Sequence, residues 1–301
     1  MPLRGNIGEE VVDVAKVIVG FDGSKSAEGA LHWAAEEAGR RGDDVLVVDS
    51  WSDPERKTAA AEAMRDGHDA VIAAVDRELG EAVTREAAAH PTVGFSVDVV
   101  EAPPAQALLE HQDDASLLVV GSRGRGGFAS LLLGSVSHAV AAGAAVPVAV
   151  VRSNAGGGEV VVGVQGSAPG RKALRWAAEE ARLLGAPLRP VLVWGYYFTQ
   201  GVDGMDESLR DEYDEEQARS VLDQILSDVL GDDHGLDVRP TVCHQDPANA
   251  LLERATGARL LVVGPRRGSL DHHLGAGSVT LRVLHHAPCA VVVVPEHPGG
   301  R

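Results

Sequence analysis

The residues best placed to do chemistry follow the apolar run SLLVV, in the stretch GSRGRGGFASLLLGSVSHAV that begins at Gly121. Gly121, Gly124, Gly126 and Gly127 allow positive φ and a close approach of backbone to ligand. Gly134 precedes Ser135, which sits where a helix N-cap belongs, and Ser137 adds a second hydroxyl. A helix N-terminus presents unpaired N–H groups and the positive end of the helix dipole, so this combination is an anion site, with phosphate its natural occupant. Taken alone, a glycine-rich stretch reads equally well as a flexible surface turn. Spacing and context separate the two readings.

Other reactive groups carry less. Gly23-Ser24-Lys25-Ser26 is a superficial echo of the GxxxxGK[ST] loop, with serine where glycine should precede lysine. No GxSxG elbow occurs, and neither Cys243 nor Cys289 has a convincing histidine base or a CxxC partner. Both cysteines lie in apolar runs and read as buried thiols rather than as a disulfide. The pairs His272-His273 and His285-His286 are sequence neighbours, which point in different directions on a helix, and read as surface or packing residues. The acidic run DGMDESLRDEYDEEQARS lacks the spacing of a calcium loop and reads as a solvated lead-in to a helix. No catalytic or metal-ligating residue is therefore assigned. Arg123 and Arg125 could steady a terminal phosphate or lie solvated on a loop.

The elements that must hold the glycine loop alternate strand and helix. KVIVGF, DVLVVDSW, FSVDVV, SLLVVG and VPVAVV are short apolar, β-branched runs; Ser26 to Arg41, Ala59 to His90, Pro104 to Gln112 and Ser135 to Gly143 have helical spacing or composition. Strands alternating with helices call for parallel pairing through right-handed crossovers, giving an α/β, doubly wound, five-stranded sheet. In such sheets the ligand crevice lies beyond the carboxyl ends of the strands, where Gly121 falls.

The pattern occurs twice. ALHWAAEEA starting at Ala30 returns as ALRWAAEEA at Ala173, 143 residues on, and the same offset carries Trp51 onto Trp194, Leu108 onto Leu251 and Gly134-Ser135 onto Gly277-Ser278. A repeat of that length is a whole domain. The small residues Ser153 to Gly158 read as the linker, giving domains 1–153 and 154–301. An apolar edge strand such as VPVAVV or CAVVVVP invites another strand, so the two copies are expected to pair in cis, with independent domains or a further homodimer left open. Trp33 and Trp176 read as packing against the sheet.

Gly121, two residues, Gly124, nine residues, then Gly134-Ser135 resembles the ATP-binding signature of the universal stress protein family, and VIVGFDGSKSA, PAQALLE and the closing strand are similar to that family as well. The resemblance spans nearly the whole chain twice and is strongest to the tandem actinobacterial type. It implies a Rossmann-like fold with strand order 3-2-1-4-5 in each domain. It places adenine and ribose near Gly20, Phe21, Asp22 and Val48, and phosphates near Val120, Gly121, Arg123, Gly124, Gly134, Ser135, Val136 and Ser137. An aspartate at a strand end can accept from ribose hydroxyls, which suits Asp22, although a turn role before Gly23 is compatible with it. Copy two keeps Gly264, Gly277, Ser278 and Val279 but has Gln165 in place of Asp22 and Arg267 in place of Gly124. Its site is expected to be weakened, absent or altered.

Lys+Arg 27 against Asp+Glu 44 gives a formal net charge of -17, which opposes nucleic acid and anionic membrane surfaces, and an aromatic content of 4% is too low for base-stacking platforms. No apolar run reaches the roughly 18 residues of a membrane span, and the acidic N-terminal stretch does not read as an export signal, so a cytoplasmic chain is expected. The function expected is a nucleotide-dependent stress or dormancy regulator that binds ATP, with magnesium by charge, and responds through an unidentified protein partner. Slow ATP hydrolysis or an ATP-dependent reaction of the adenine nucleotide α-hydrolase type, and binding of AMP or cyclic AMP, are the alternatives.

Overall fold

The computed structural model describes residues 15–50, 68–124, 133–152, 157–194, 207–231, 235–265 and 278–296. The first repeat runs β1 (Lys16–Gly20), α1 (Lys25–Arg41), β2 (Asp44–Ser50), α2 (His68–Ala89), β3 (Phe95–Val100), α3 (Pro104–Glu110), β4 (Ala115–Gly121), α4 (Ser135–Gly143) and β5 (Val148–Val151). The second runs β6 (Val160–Val164), α5 (Ala168–Leu184), β7 (Leu188–Trp194), α6 (Glu207–Leu230), β8 (Thr241–His244), α7 (Pro247–Arg254), β9 (Leu260–Val263), α8 (Ser278–His286) and β10 (Ala290–Val293). The helix expected from Ala59 is described from His68 and stops before Pro91; its earlier part lies outside the described residues. The helix expected from Pro104 to Gln112 ends at Glu110, and a 3-10 turn over Gln112–Asp114 leads into β4.

Local chemistry explains the matching boundaries. Ser24 caps α1 by accepting from the Ala27 N–H, and Ser167 caps α5 by accepting from the Gly170 N–H. Both helices end where a glycine takes the left-handed conformation, Gly42 at φ 75° and Gly185 at φ 58°. Start and stop signals are thus duplicated along with the alanine-rich body.

Each repeat pairs its strands in the order 3-2-1-4-5, and the ten strands form one sheet, β3-β2-β1-β4-β5-β10-β9-β6-β7-β8. Every pairing within a repeat is parallel, whereas β5 and β10 run antiparallel, with Val150 opposite Val291, Ala149 opposite Val292 and Val148 opposite Val293. Ala149 and Val292 are equivalent positions, so this ladder is centred on the pair that the repeat relates. The two five-stranded sheets expected from sequence are therefore fused at the edge strands.

Successive strand residues point to opposite faces, so β1 sends Val17 and Val19 into one core and Ile18 into another. One face is covered by α1, α2, α5 and α6, with Leu31, Leu79, Leu174 and Leu222 buried in it. The other is covered by α3, α4, α7 and α8, with Leu108, Val140, Leu251 and Leu284 buried. Both cysteines are free and buried, and burial pushes the Cys289 thiol up to about 11.

Candidate functional site

The carboxyl ends of β1 and β4 bring the first repeat's expected residues together. After Gly20 the Phe21 N–H donates to the Val48 carbonyl at 2.9 Å, carrying the β1–β2 pairing one residue further. Phe21, Val48 and Val120 are buried with their side chains in the two cores, so what they offer a ligand is backbone. Asp22 turns the chain by accepting from the Ser24 N–H at 2.9 Å, and Gly23 follows at φ 74°. The turn role therefore falls on the side chain for which a ligand role is expected.

Two glycines of this crevice are closely faced by other residues. A Cβ on Gly121 would sit 2.6 Å from Ser26 Oγ and 2.7 Å from the Ser26 carbonyl oxygen, so α1 docks directly on the end of β4. A Cβ on Gly124 would sit 2.5 Å from Asp22 Oδ2, which brings the loop after β4 onto the aspartate. The Arg123 N–H donates to Ser26 Oγ at 3.3 Å, while the Arg123 side chain is exposed. Ser26 thus holds the loop, a role that sequence reading missed.

Gly134, not Ser135, is the N-cap of α4. It is extended at φ -78°, ψ 158°, and Ser135 is the first helical residue, so among the described residues no side chain caps this end. A serine at this position would have occupied one of the first amides of α4 with its own hydroxyl; glycine does not. Gly134 is anchored by its own N–H donating to the Ser122 carbonyl at 2.8 Å, and Ser137 donates its hydroxyl to the Gly121 carbonyl at 2.7 Å. Ser137 is buried and serves as a tether between helix and loop, while Ser135 is exposed and Val136 half-buried. Gly126, Gly127 and Arg125 lie outside the described residues.

In the second repeat the equivalent crevice is an open cavity of about 710 Å³. Gly163, Val164, Gln165, Val191, Gly264 and Thr280 line it, with Val279 beside them, and these match Gly20, Phe21, Asp22, Val48, Gly121, Ser137 and Val136 of the first repeat at the 143-residue offset. Thr280 donates to the Gly264 carbonyl at 3.2 Å and so repeats the Ser137 tether. Leu251 crowds Gly163, where a Cβ would lie 3.2 Å from Leu251 Cδ1, as Leu108 crowds Gly20 at 2.9 Å. The duplicated leucine pair was visible in the repeat, although its place over the crevice was not.

The electrostatics of this second crevice differ. Gln165 brings no charge, and Asp246 in its wall is held below the usual carboxylate range by the Asn249 N–H donating to it and by Arg282, whose Nη1 lies 2.8 Å from Oδ1. His244 lies against Trp194 with ring centroids 4.4 Å apart and 21° between planes, at the rim of the cavity. Arg267 and Gly277 lie outside the described residues, and of Ser278 the backbone alone is described, at the start of α8.

Comparison with known proteins identifies the family and matches the fold. A family model described as the universal stress protein family matches residues 14–152 and again 158–295. The universal stress protein Rv2624c of Mycobacterium tuberculosis is 32% identical over 286 residues, covering 92% of this chain and 95% of that protein. Rv2623 of the same organism is 37% identical over 140 residues, 46% of each chain, so with this and similar curated relatives the match spans about half their length. A crystal structure of a universal stress protein from Archaeoglobus fulgidus superimposes with a TM-score of 0.62 at 19% identity, covering 93% of this chain and 98% of the other.

Proposed function

We propose that this chain, which belongs to the universal stress protein family, binds ATP in the crevice of its first repeat and acts as a nucleotide-dependent regulator rather than as an enzyme. The observation that carries the reading is the uncapped N-terminus of α4, set against a glycine loop whose Gly124 abuts Asp22. The free amides and helix dipole suit phosphate oxygens. Asp22 at the end of β1 suits ribose hydroxyls. Magnesium accompanies the phosphates by charge. No described group at this crevice has the arrangement of a nucleophile with its base, so turnover, if measured, is expected to be slow.

The second crevice supports a subsidiary proposal, because it is open and keeps the tether and the glycine. Loss of the charge at Gln165 weakens it: a hydrogen bond to a charged group is worth about 1.5–3 kcal/mol, or roughly ten- to a hundredfold in affinity.

The test is the nucleotide released on denaturing the purified chain, measured for the native sequence and for Asp22→Ala and Gly124→Glu. About one ATP per chain, lost in both variants, supports the reading. Two per chain adds the second crevice to it. None, with no binding on titration, overturns it.

A further inference from the structure

His32, Glu86 and His90 lie together on the outer face of α1 and α2, away from both crevices, and their candidate ligand atoms are all within 4.8 Å of one another. We propose that they form a binding site for one divalent transition-metal ion of the zinc class.

The geometry favours this at three levels. Glu86 and His90 are four residues apart at the end of α2, so they share a face, and α1 presents His32 to it. His32 Nδ1 is 3.0 Å from Glu86 Oε2, and the His32 and His90 rings are 5.9 Å apart between centroids, where two imidazoles on one tetrahedral ion would be roughly 5 Å apart. Their ligand atoms, within 4.8 Å of one another, would have to close to the roughly 3.3 Å that separates donors around a tetrahedral ion. His90 Nδ1 lies 3.1 Å from the Glu86 carbonyl oxygen and 3.6 Å from Glu86 Oε2, so the ring reaches a metal either through Nδ1, released from that carbonyl, or by turning to present Nε2 with the Nδ1 proton held there, the arrangement that usually orients a ligating imidazole.

Chemistry selects the ion. Two imidazoles and one carboxylate suit zinc, cobalt, nickel or copper, whereas calcium and magnesium prefer all-oxygen sets. Glu86 and His90 have side chains only 15% and 20% exposed, so they are already partly desolvated, while His32 at 57% keeps the site open to entry. The neighbouring Glu36 gives its Oε2 to Arg40 at 3.6 Å and Arg259 at 3.5 Å and has its Oε1 3.7 Å from His32 Nε2, so the cluster supplies three ligands from the protein and leaves the fourth position to water or to Glu36. The second repeat carries Arg175 and Val229 at the offsets of His32 and Glu86, so the site belongs to the first repeat alone.

The experiment is a titration of the full-length, tag-free, chelator-treated chain with Co²⁺, followed by its visible absorption bands, and then with Zn²⁺ as competitor. No nucleotide is added, so the outcome is independent of ATP binding. One Co²⁺ per chain, displaced by Zn²⁺ and weakened about tenfold or more in each of His32→Ala, Glu86→Gln and His90→Ala, supports the site. His286→Ala is expected to leave binding unchanged. His32 is largely exposed, so its replacement does not threaten folding. Absence of binding, or binding that survives both His32→Ala and His90→Ala, overturns the proposal.

Discussion

Glu37 and Glu180 hold the same position in the two repeats and meet at the join, both 0% exposed, with Arg41 bonded to each. Arg41 also lies over the Trp176 ring at 5.3 Å, and the second repeat has Leu184 where the first has Arg41. Arg41 therefore bridges two equivalent carboxyls, while Arg40 donates to Glu37 as well, at 2.8 Å. Burial, and then the charge of Glu37, push Glu180 up to about 8, so at neutral pH it carries a proton shared with Glu37. Burial works to raise Glu37 too, but Arg41 and the other partners outweigh it and hold Glu37 low.

This pair predicts a pH dependence. Glu180 binds its proton more tightly folded than unfolded, so its contribution is complete below the ordinary value of 4.5 and is lost as pH rises towards about 8. Stability to urea is expected to fall across that window by up to about 1.4 kcal/mol per pH unit. Glu180→Gln keeps a donor to Glu37 and should flatten the slope. An unchanged slope in that variant would place the titration elsewhere.

The seam between β5 and β10 should be intolerant of charge. Val292 is fully buried opposite Ala149, and Val292→Asp puts a carboxylate into the shared sheet. A loss of at least about 3 kcal/mol in urea unfolding is expected, with the halves ceasing to unfold together. A loss under about 1 kcal/mol would show that the seam contributes little.

Two glycines of the first crevice should respond to very different degrees. Gly121→Ala drives a Cβ to 2.7 Å from the Ser26 backbone oxygen, whereas at Gly134 the nearest atom is 3.5 Å away. The first substitution is expected to cost about 1–3 kcal/mol and the second less than about 0.5. Thermal melts of the two variants side by side would decide it.

Gly124→Ala separates binding from folding. Its Cβ would meet a movable carboxylate oxygen, Asp22 Oδ2 at 2.5 Å, so Asp22 is displaced while the core is untouched. ATP affinity by calorimetry is expected to drop about tenfold with little change in melting temperature. Full affinity in this variant would remove Asp22 from the site.

Sequence alone determined the duplication, the order of elements and the glycine–serine loop, because these depend on local periodicity, on turn chemistry and on spacing along one chain. Asp22 and Gly124 were legible as separate features for the same reason. Their contact was not, nor was the docking of Ser26 on Gly121, since each joins residues about a hundred apart in the chain. The N-cap shifted from Ser135 to Gly134 because cap position depends on where the extended backbone ends, which one residue of sequence does not specify. Tertiary structure decided the rest. Pairing of the two last strands was expected from their apolar edges, but its antiparallel register on Ala149 and Val292 was not; the Glu37–Glu180 pair and the His32, Glu86 and His90 cluster each need two distant elements laid side by side, and only the packing of helices on a common sheet brings them within reach.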